Sequence, residues 1–294
     1  MGKYPVIAIC IVTDLRVLQV LLKLDADTKH KAQDVLRALV LLVGDVTLEE
    51  CSILTGYAYD HLEKLIHECA PMLVISSDTQ HVEFANEHIR DFLLLNWDSL
   101  LASPASKPSS SEVSRQIILQ HGYLAWRCFS YMDEIYASTP DSDTDKRAYV
   151  AVPRPSAVST ADGPQQEAGS LPKDQDNSDE PASSLSPRTA GMYPVRYWHQ
   201  HVIAGGMPVA QSLCVDLPQF WSFDAPLRSQ WLRDCAKHRD EFDDLEKVES
   251  MSALHIASAL GLRDLSTVLL KSSREALINS LDGNQYTPVS SYIQ

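Results

Sequence analysis

At 294 residues, 45% hydrophobic and 22% charged, the chain has apolar surface enough to fold in large part and length enough for two compact domains or several smaller modules. Its 39 acidic against 25 basic side chains give a formal net charge of −14, a field that repels phosphate backbones and argues against nucleic acid as a partner. Six scattered cysteines, none spaced as a zinc-type C-x-x-C pair, exclude a disulfide-dense scaffold and read as small buried hydrophobes in a reducing compartment.

The chain opens on an apolar run, Tyr4 to Val12 after Lys3, of the size of a signal-peptide core. It ends at Thr13-Asp14-Leu15-Arg16 with no small-residue cleavage site, so secretion is not expected. Gly2 does not begin a myristoylation signal, because Val6 stands where Ser or Thr is needed. No stretch reaches the roughly 18 uncharged apolar residues that span a bilayer, so no membrane association is expected and a cytoplasmic or nuclear location follows. Residues 1–29 are expected to form an N-terminal helical segment, with Leu15, Leu18, Leu21 and Leu22 at helical spacing over 13–24.

Residues 30–97 give an ordered set of signals. Ala32, Val35, Leu36, Leu39, Val40 and Val43 lie on one helical face, with Asp27 or Thr28 as the expected cap and Gly44 as the stop. Thr47 and Glu50 have capping-box spacing before a short helix that Gly56 ends. A third helix is predicted from about Tyr59 to Cys69, with Leu62, Leu65 and Ile66 inward and Pro71 as its breaker. Two strand-like runs, Met72 to Ser76 and Val82 to Phe84, flank the polar turn Ser77-Asp78-Thr79-Gln80. Another helix begins around Asn86 with Ile89, Phe92, Leu93 and Leu94. Helix, helix, helix, hairpin, helix is the order of a winged-helix domain. Many such domains bind DNA, which makes a DNA-binding regulator the alternative function. Yet Tyr59 to Cys69 carries Asp60, Glu63 and Glu68 against Lys64 alone, where a major-groove reader needs basic and amide side chains.

Ser103 to Ser111 has linker composition. A helical segment over 112–137 comes next, expected as part of a helical pair, strongest from Val113 to Tyr136. The 138–190 stretch is dominated by Pro, Ser, Asp, Gln and Ala and is expected to be a disordered linker, since it cannot bury enough area to offset its ordering entropy. From Met192 the chain is rich in aromatics: Tyr193, Tyr197, Trp198, Trp221, Phe223 and Trp231. Residues 191–251 are therefore expected to be a helical cap region.

The C-terminal residues need such a cap. Ser252-Ala253-Leu254-His255-Ile256-Ala257 resembles the T-P-L-H-x-A opening of an ankyrin repeat, and Ala259, Gly261, Leu265, Leu269 and Leu270 extend the pattern. Thr287-Pro288-Val289 repeats the opening 35 residues after Ser252, close to the ankyrin period of about 33, with Asp282-Gly283-Asn284 as the preceding turn. Residues 252–294 thus hold one repeat and the start of a second, marked by Ser252, Leu254, His255, Ala257, Gly261, Thr287 and Pro288. One repeat cannot bury its own apolar face, so its stability must be borrowed. The sequence assigns the cap to Tyr193 through Val202 and the helices up to Leu245, so that Trp198→Ala should lower the melting temperature of residues 190–294.

The order of these segments resembles the region that follows the nucleotide-binding part of fungal NACHT–ankyrin proteins, relatives of immune-type receptors. That family closes its winged helix with an approximate v-r-f-x-H-x-s-v-x-d-F-L. Here the run from Val82 reads Val-Glu-Phe-Ala-Asn-Glu-His-Ile-Arg-Asp-Phe-Leu. The family's Y-x-x-x-Y-W-x-x-H element is similar to Tyr193, Tyr197, Trp198 and His201. Asn86 stands where the family has His, and Ala253 replaces the usual Pro. No G-x-x-x-x-G-K-[ST] loop is present, so no nucleotide binding is expected. The resemblance implies the downstream, signal-relaying part of such a receptor.

Chemistry-bearing groupings read as structural. His199 and His201 lack a neighbouring Cys or carboxylate at ligand spacing and are expected to pack. The run Asp240, Glu241, Asp243, Asp244, Glu246 lacks the glycine and spacing of a calcium loop and is expected to be a solvated face. No Gly-x-Ser-x-Gly elbow or local cysteine-protease signature occurs. No catalytic, cofactor-binding or metal-binding residue is assigned and no cofactor is expected. Ser252 and His255 are expected to be hydrogen-bond partners that stabilise a turn. The sequence therefore predicts a mainly α chain: a winged-helix domain plus a helical domain running into ankyrin repeat sequence, with a disordered insert. Its expected function is non-enzymatic protein–protein interaction, with a protein partner whose identity the residues do not reveal.

Overall fold

The computed structural model describes residues 19–97, 109–137, 192–222, 225–236, 251–272, 278–283 and 285–291. Residues 1–18 of the expected N-terminal segment, nearly all of the Ser103 to Ser111 linker, the 138–190 stretch and the acidic run at 240–246 lie outside them. The described chain is mainly helical, with one two-stranded sheet.

Residues 19–23 are helical, and α1 (Ala26–Leu41) follows after a short break. The expected boundary between 29 and 30 thus falls inside a helix. Its cap is Asp25, not Asp27 or Thr28: the Asp25 carboxylate accepts from the N–H groups of both, satisfying two donors that the first turn leaves unpaired. α1 buries Ala32, Val35, Leu36, Leu39 and Val40, the face its spacing predicts. α2 (Leu48–Thr55) starts on a true capping box, Thr47 and Glu50 bonding each other's backbone, and stops at Gly56 in the left-handed region. α3 (Tyr59–Glu68) buries Leu62, Leu65 and Ile66.

β1 (Leu73–Ile75) and β2 (Val82–Phe84) pair antiparallel, with Leu73 opposite Phe84 and Ile75 opposite Val82. The segment entering α2 joins the hairpin: Val82 N–H donates to Val46 O, Leu48 N–H donates to Gln80 O, and Thr47 bridges His81. The hairpin is therefore anchored on the helices. α4 (Glu87–Leu95) is capped by Asn86, whose side-chain oxygen accepts from His88 N–H. From α4, Arg90 reaches back to Val40 O and Leu42 O, placing a cation on the open carbonyls at the end of α1.

α5 (Ser110–Ala137) is one helix of 28 residues, so the linker-like serines at 110 and 111 are already helical. The helical pair expected around 113–136 is not formed there. The partner of α5 is α6 (Met192–Asp216), supplied from beyond the 138–190 stretch. α6 kinks at Gly206, whose φ of 61° and ψ of −152° only glycine adopts without strain; Pro208 then falls in the first turn of the second half, where its missing N–H does no harm. Beside the kink, Val209 of α6 fills the space over Gly205 and over Gly122 of α5.

α7 (Pro218–Trp221) and α8 (Pro226–Ala236) close over this pair. Trp198 is fully buried among Phe129 of α5, Phe220 and Trp221 of α7 and Trp231 of α8. The Trp231 indole N–H donates to Val195 O and that of Trp221 to Leu213 O, both at 3.1 Å. The C-terminal elements are α9 (Ala253–Ala259), α10 (Arg263–Ser272) and the short α11 (Pro288–Ser291).

The C-terminal unit packs on α6, and the part of that helix that shares a cavity wall with this unit lies within the expected 191–251 region but beyond the Tyr193 to Val202 segment. α10 packs along α6, and Val268 and Leu269 share a cavity wall with Cys214 and Val215 of its second half. Tyr193 is committed to the N-terminal module, residues 26–97, and Trp198 to the aromatic core with α5. One continuous apolar core runs from α1 through α5 and α6 to Leu269.

Candidate functional site

The residues singled out at the C-terminus come together around His255, which is fully buried. Ser252 caps α9, and its N–H and hydroxyl lie 3.3 and 2.7 Å from His255 Nδ1. A backbone N–H can only donate, so Nδ1 is the acceptor and the imidazole proton sits on Nε2. Nε2 then donates to the Tyr286 carbonyl at 3.0 Å, crossing 31 residues of sequence. His255 thereby ties the opening of α9 to the loop before α11.

That loop is closed by Asp282, which is buried. Its carboxylate accepts from Tyr286 N–H and its own N–H donates to Tyr286 O, both at 2.9 Å. Thr287 and Ser290 repeat the reciprocal arrangement of Ser252 and His255: Thr287 N–H donates to Ser290 Oγ at 2.8 Å, and Ser290 N–H lies 3.4 Å from Thr287 Oγ1. Pro288 opens α11. Leu254, Ala257, Leu265 and Leu269 are buried, whereas Ala259 and Leu270 are exposed; Gly261 turns the chain at φ 66°. Leu270, Leu281 and Tyr286 leave 43%, 50% and 39% of their surface open, an apolar margin on this unit.

A second polar cluster lies where α6 meets α5 and the N-terminal module. Val43 N–H donates to the Tyr193 hydroxyl oxygen at 3.0 Å, Tyr193 OH lies 2.9 Å from His201 Nε2, and His201 Nδ1 lies 3.0 Å from His121 Nδ1. The Tyr193 N–H donates to Glu50 Oε1 at 2.7 Å. Glu50 is itself buried and accepts through its other oxygen from the N–H and hydroxyl of Thr47. Burial pushes the His201 value down to about 3 and that of His121 down to about 4, because an imidazolium there would lose its water. Tyr197 packs against Tyr193 with the rings tilted by 46° and their centres 4.9 Å apart, and its hydroxyl lies 3.0 Å from where a Cβ at Gly44 would stand.

His201 belonged to a pair that the sequence assigns to packing. His121 was missed altogether, since 80 residues separate it from His201 and no local pattern links them. Among the described residues no group of three His, Cys, Asp or Glu side chains is arranged to hold a metal ion, and no helix is long and apolar enough to cross a membrane.

Two further features bear on partners. The solvent side of α3 exposes Asp60, His61, Lys64, His67 and Glu68 with Glu63 half-buried, so carboxylates outnumber the single lysine. A largely apolar cavity of about 610 Å³ opens between α6, α7 and α10, lined by Cys214, Val215, Pro218, Trp221, Val268 and Leu269. Burial pushes the Cys214 thiol up to about 11, which leaves it a weak nucleophile at neutral pH. No protein-family model, curated protein or solved structure matches the chain.

Proposed function

We propose that the chain is a non-enzymatic protein-interaction module, a fragment or degenerate relative of the downstream half of a NACHT–ankyrin receptor. In this reading 26–97 is a winged-helix unit that packs against its own neighbours, α5 to α8 form the bridging helical domain, and 252–294 is ankyrin repeat sequence that presents a surface to another protein. The observation that carries it is the His255 bond to Tyr286 O. It links two successive repeat openings through the same reciprocal Ser/Thr cap, the arrangement expected where one repeat is stacked on the next. The apolar margin of Leu270 and Leu281 is the surface that a protein partner would cover.

The test compares proteins retained by the full chain with those retained by a Leu270→Glu, Leu281→Glu double variant whose helical content is unchanged. A retained protein that the variant loses is the expected result. Retention of the same proteins by both forms would overturn the assignment of this surface.

A further inference from the structure

The hydrogen-bond donors and acceptors in the second cluster admit one arrangement when both histidines are neutral. Val43 N–H must donate, so the Tyr193 oxygen accepts it and the phenol hydrogen points to His201 Nε2. His201 then carries its proton on Nδ1 and donates to His121 Nδ1, which leaves the His121 proton on Nε2. Val43 N–H, the Tyr193 hydroxyl and the His201 Nδ1–H each meet an acceptor.

One added proton spoils the chain at either ring. On His201 it must go to Nε2, against the hydroxyl hydrogen of Tyr193. On His121 it must go to Nδ1, against the His201 N–H only 3.0 Å away. Both cases set donor against donor in a buried place.

The surroundings offer no relief. From the N-terminal module the cluster is faced by Glu50 and the Val43 backbone, from α5 by Cys128, and from α6 by Tyr197 and His199. Glu50 is the carboxylate among them, and it is occupied by Tyr193 N–H and by Thr47. No described carboxylate acts on either imidazole. The position matters as much as the chemistry: Tyr193 is held at once by Val43 after α1, by Glu50 of α2 and by His201 of α6, so it is the joint between the N-terminal module and α6, beside the bonds from Tyr123 and Arg127 of α5 to the Thr55 and Ile53 carbonyls.

We propose that the Tyr193–His201–His121 chain is an acid-sensitive latch, which fastens α6 to the N-terminal module while both imidazoles are neutral and lets that docking open when they take up protons. The inference stands whether or not the chain is an interaction module. The sign follows from burial: the docked values lie near 3 and 4, whereas a solvated histidine titrates near ~6.5. The docking free energy from this source is therefore complete above pH ~6.5 and lost as pH falls toward the docked values. With two groups the docking constant approaches a fall of about 100-fold per pH unit only well below pH ~6.5 and above the docked values; with one group the limit is about 10-fold.

Hydrogen exchange on the full-length protein between pH 7 and 5, corrected for intrinsic rates, tests this. Expected is a loss of protection at 39–56 that totals about 500-fold from pH 7 to pH 5, most of it below pH ~6, while the aromatic core at 213–236 stays protected. His121→Asn keeps an acceptor for His201 but cannot take the proton, and should reduce the total change from pH 7 to pH 5 to about 25-fold. Should that variant not fold, the wild-type slope alone decides. Protection that is flat with pH, all segments opening together with loss of far-ultraviolet circular dichroism, or an unchanged slope in His121→Asn would each overturn the latch.

Discussion

Replacing Trp198 by alanine in the full-length chain removes the ring on which four others converge. Phe129, Trp231, Phe220 and Trp221 have centres 4.9, 5.5, 6.1 and 6.1 Å from it, and the residue has no exposed surface. Truncating a buried tryptophan to alanine costs about 3–5 kcal/mol in lost transfer energy and residual cavity. One term works in the other direction: the indole N–H of Trp198 is buried without a hydrogen-bond partner, so its removal recovers about 1 kcal/mol or more of desolvation. The net expectation is a loss of about 3 kcal/mol for Trp198→Ala, a fall in melting temperature of roughly 6–12 °C. Trp198→Phe keeps an aromatic ring and sheds the orphaned N–H, so it should lose only about 1 kcal/mol. Urea unfolding followed by far-ultraviolet circular dichroism measures both. The full chain is required because Phe129 comes from α5, which residues 190–294 alone do not contain. A loss below about 1 kcal/mol for alanine, or equal losses for alanine and phenylalanine, would refute this account of the core.

Three other substitutions and one binding measurement draw on the same geometry. His255→Ala removes the bond to Tyr286 O and the Ser252 pairing, so residues 251–291 should become locally protease-sensitive at a cost of about 2 kcal/mol while α5 and α6 keep their exchange protection. A methyl at Gly205 would come 2.2 Å from Cγ2 of Val209, a buried and β-branched neighbour, so Gly205→Ala should destabilise by about 1–3 kcal/mol, and the added Val209→Ala change should recover part of that in a double-mutant cycle. Glu50→Gln replaces one of the two accepting oxygens by a donor, and thermal melting should show a loss of about 1–3 kcal/mol whose double-mutant coupling to Thr47→Ala is measurable. Duplex DNA should give no retarded band with the full chain even at low salt, because the exposed face of α3 is acidic; a salt-dependent shift would reopen the DNA-binding alternative.

What the sequence made legible was short-range. The Thr47 and Glu50 pair, the stop at Gly56 and the helix start around Asn86 each depend on residues within four positions, and each forms as its spacing demands. The inward faces of α1 and α3 were readable for the same reason, since helical period alone sets which residues share a face. Failures began where choice among neighbours or distance along the chain mattered. Asp25, Asp27 and Thr28 are all acceptable caps, and only the geometry of the break after residue 23 selects Asp25. The pairing of α5 with α6 crosses the 138–190 stretch, and no local pattern records it. The kink at Gly206 was not read from the sequence, and its role depends on Val209 and Gly122 meeting there.

The element Tyr193, Tyr197, Trp198, His201 shows how a motif can be readable while its work is not. Spacings of four and eight put Tyr193, Tyr197 and His201 on one stripe of α6, and Trp198 one step round the helix on another. The first stripe meets Val43, Gly44 and His121; the second meets Phe129, Phe220, Trp221 and Trp231. One helix therefore serves two contacts of opposite chemistry, a polar joint and an apolar core. Perturbations at the two should separate: Trp198→Ala should lower stability at every pH without altering its slope, whereas changes at His121 should alter the slope with pH. A pH slope that moves with Trp198 would mean the two stripes act as one unit, and the division of labour along α6 would have to be abandoned.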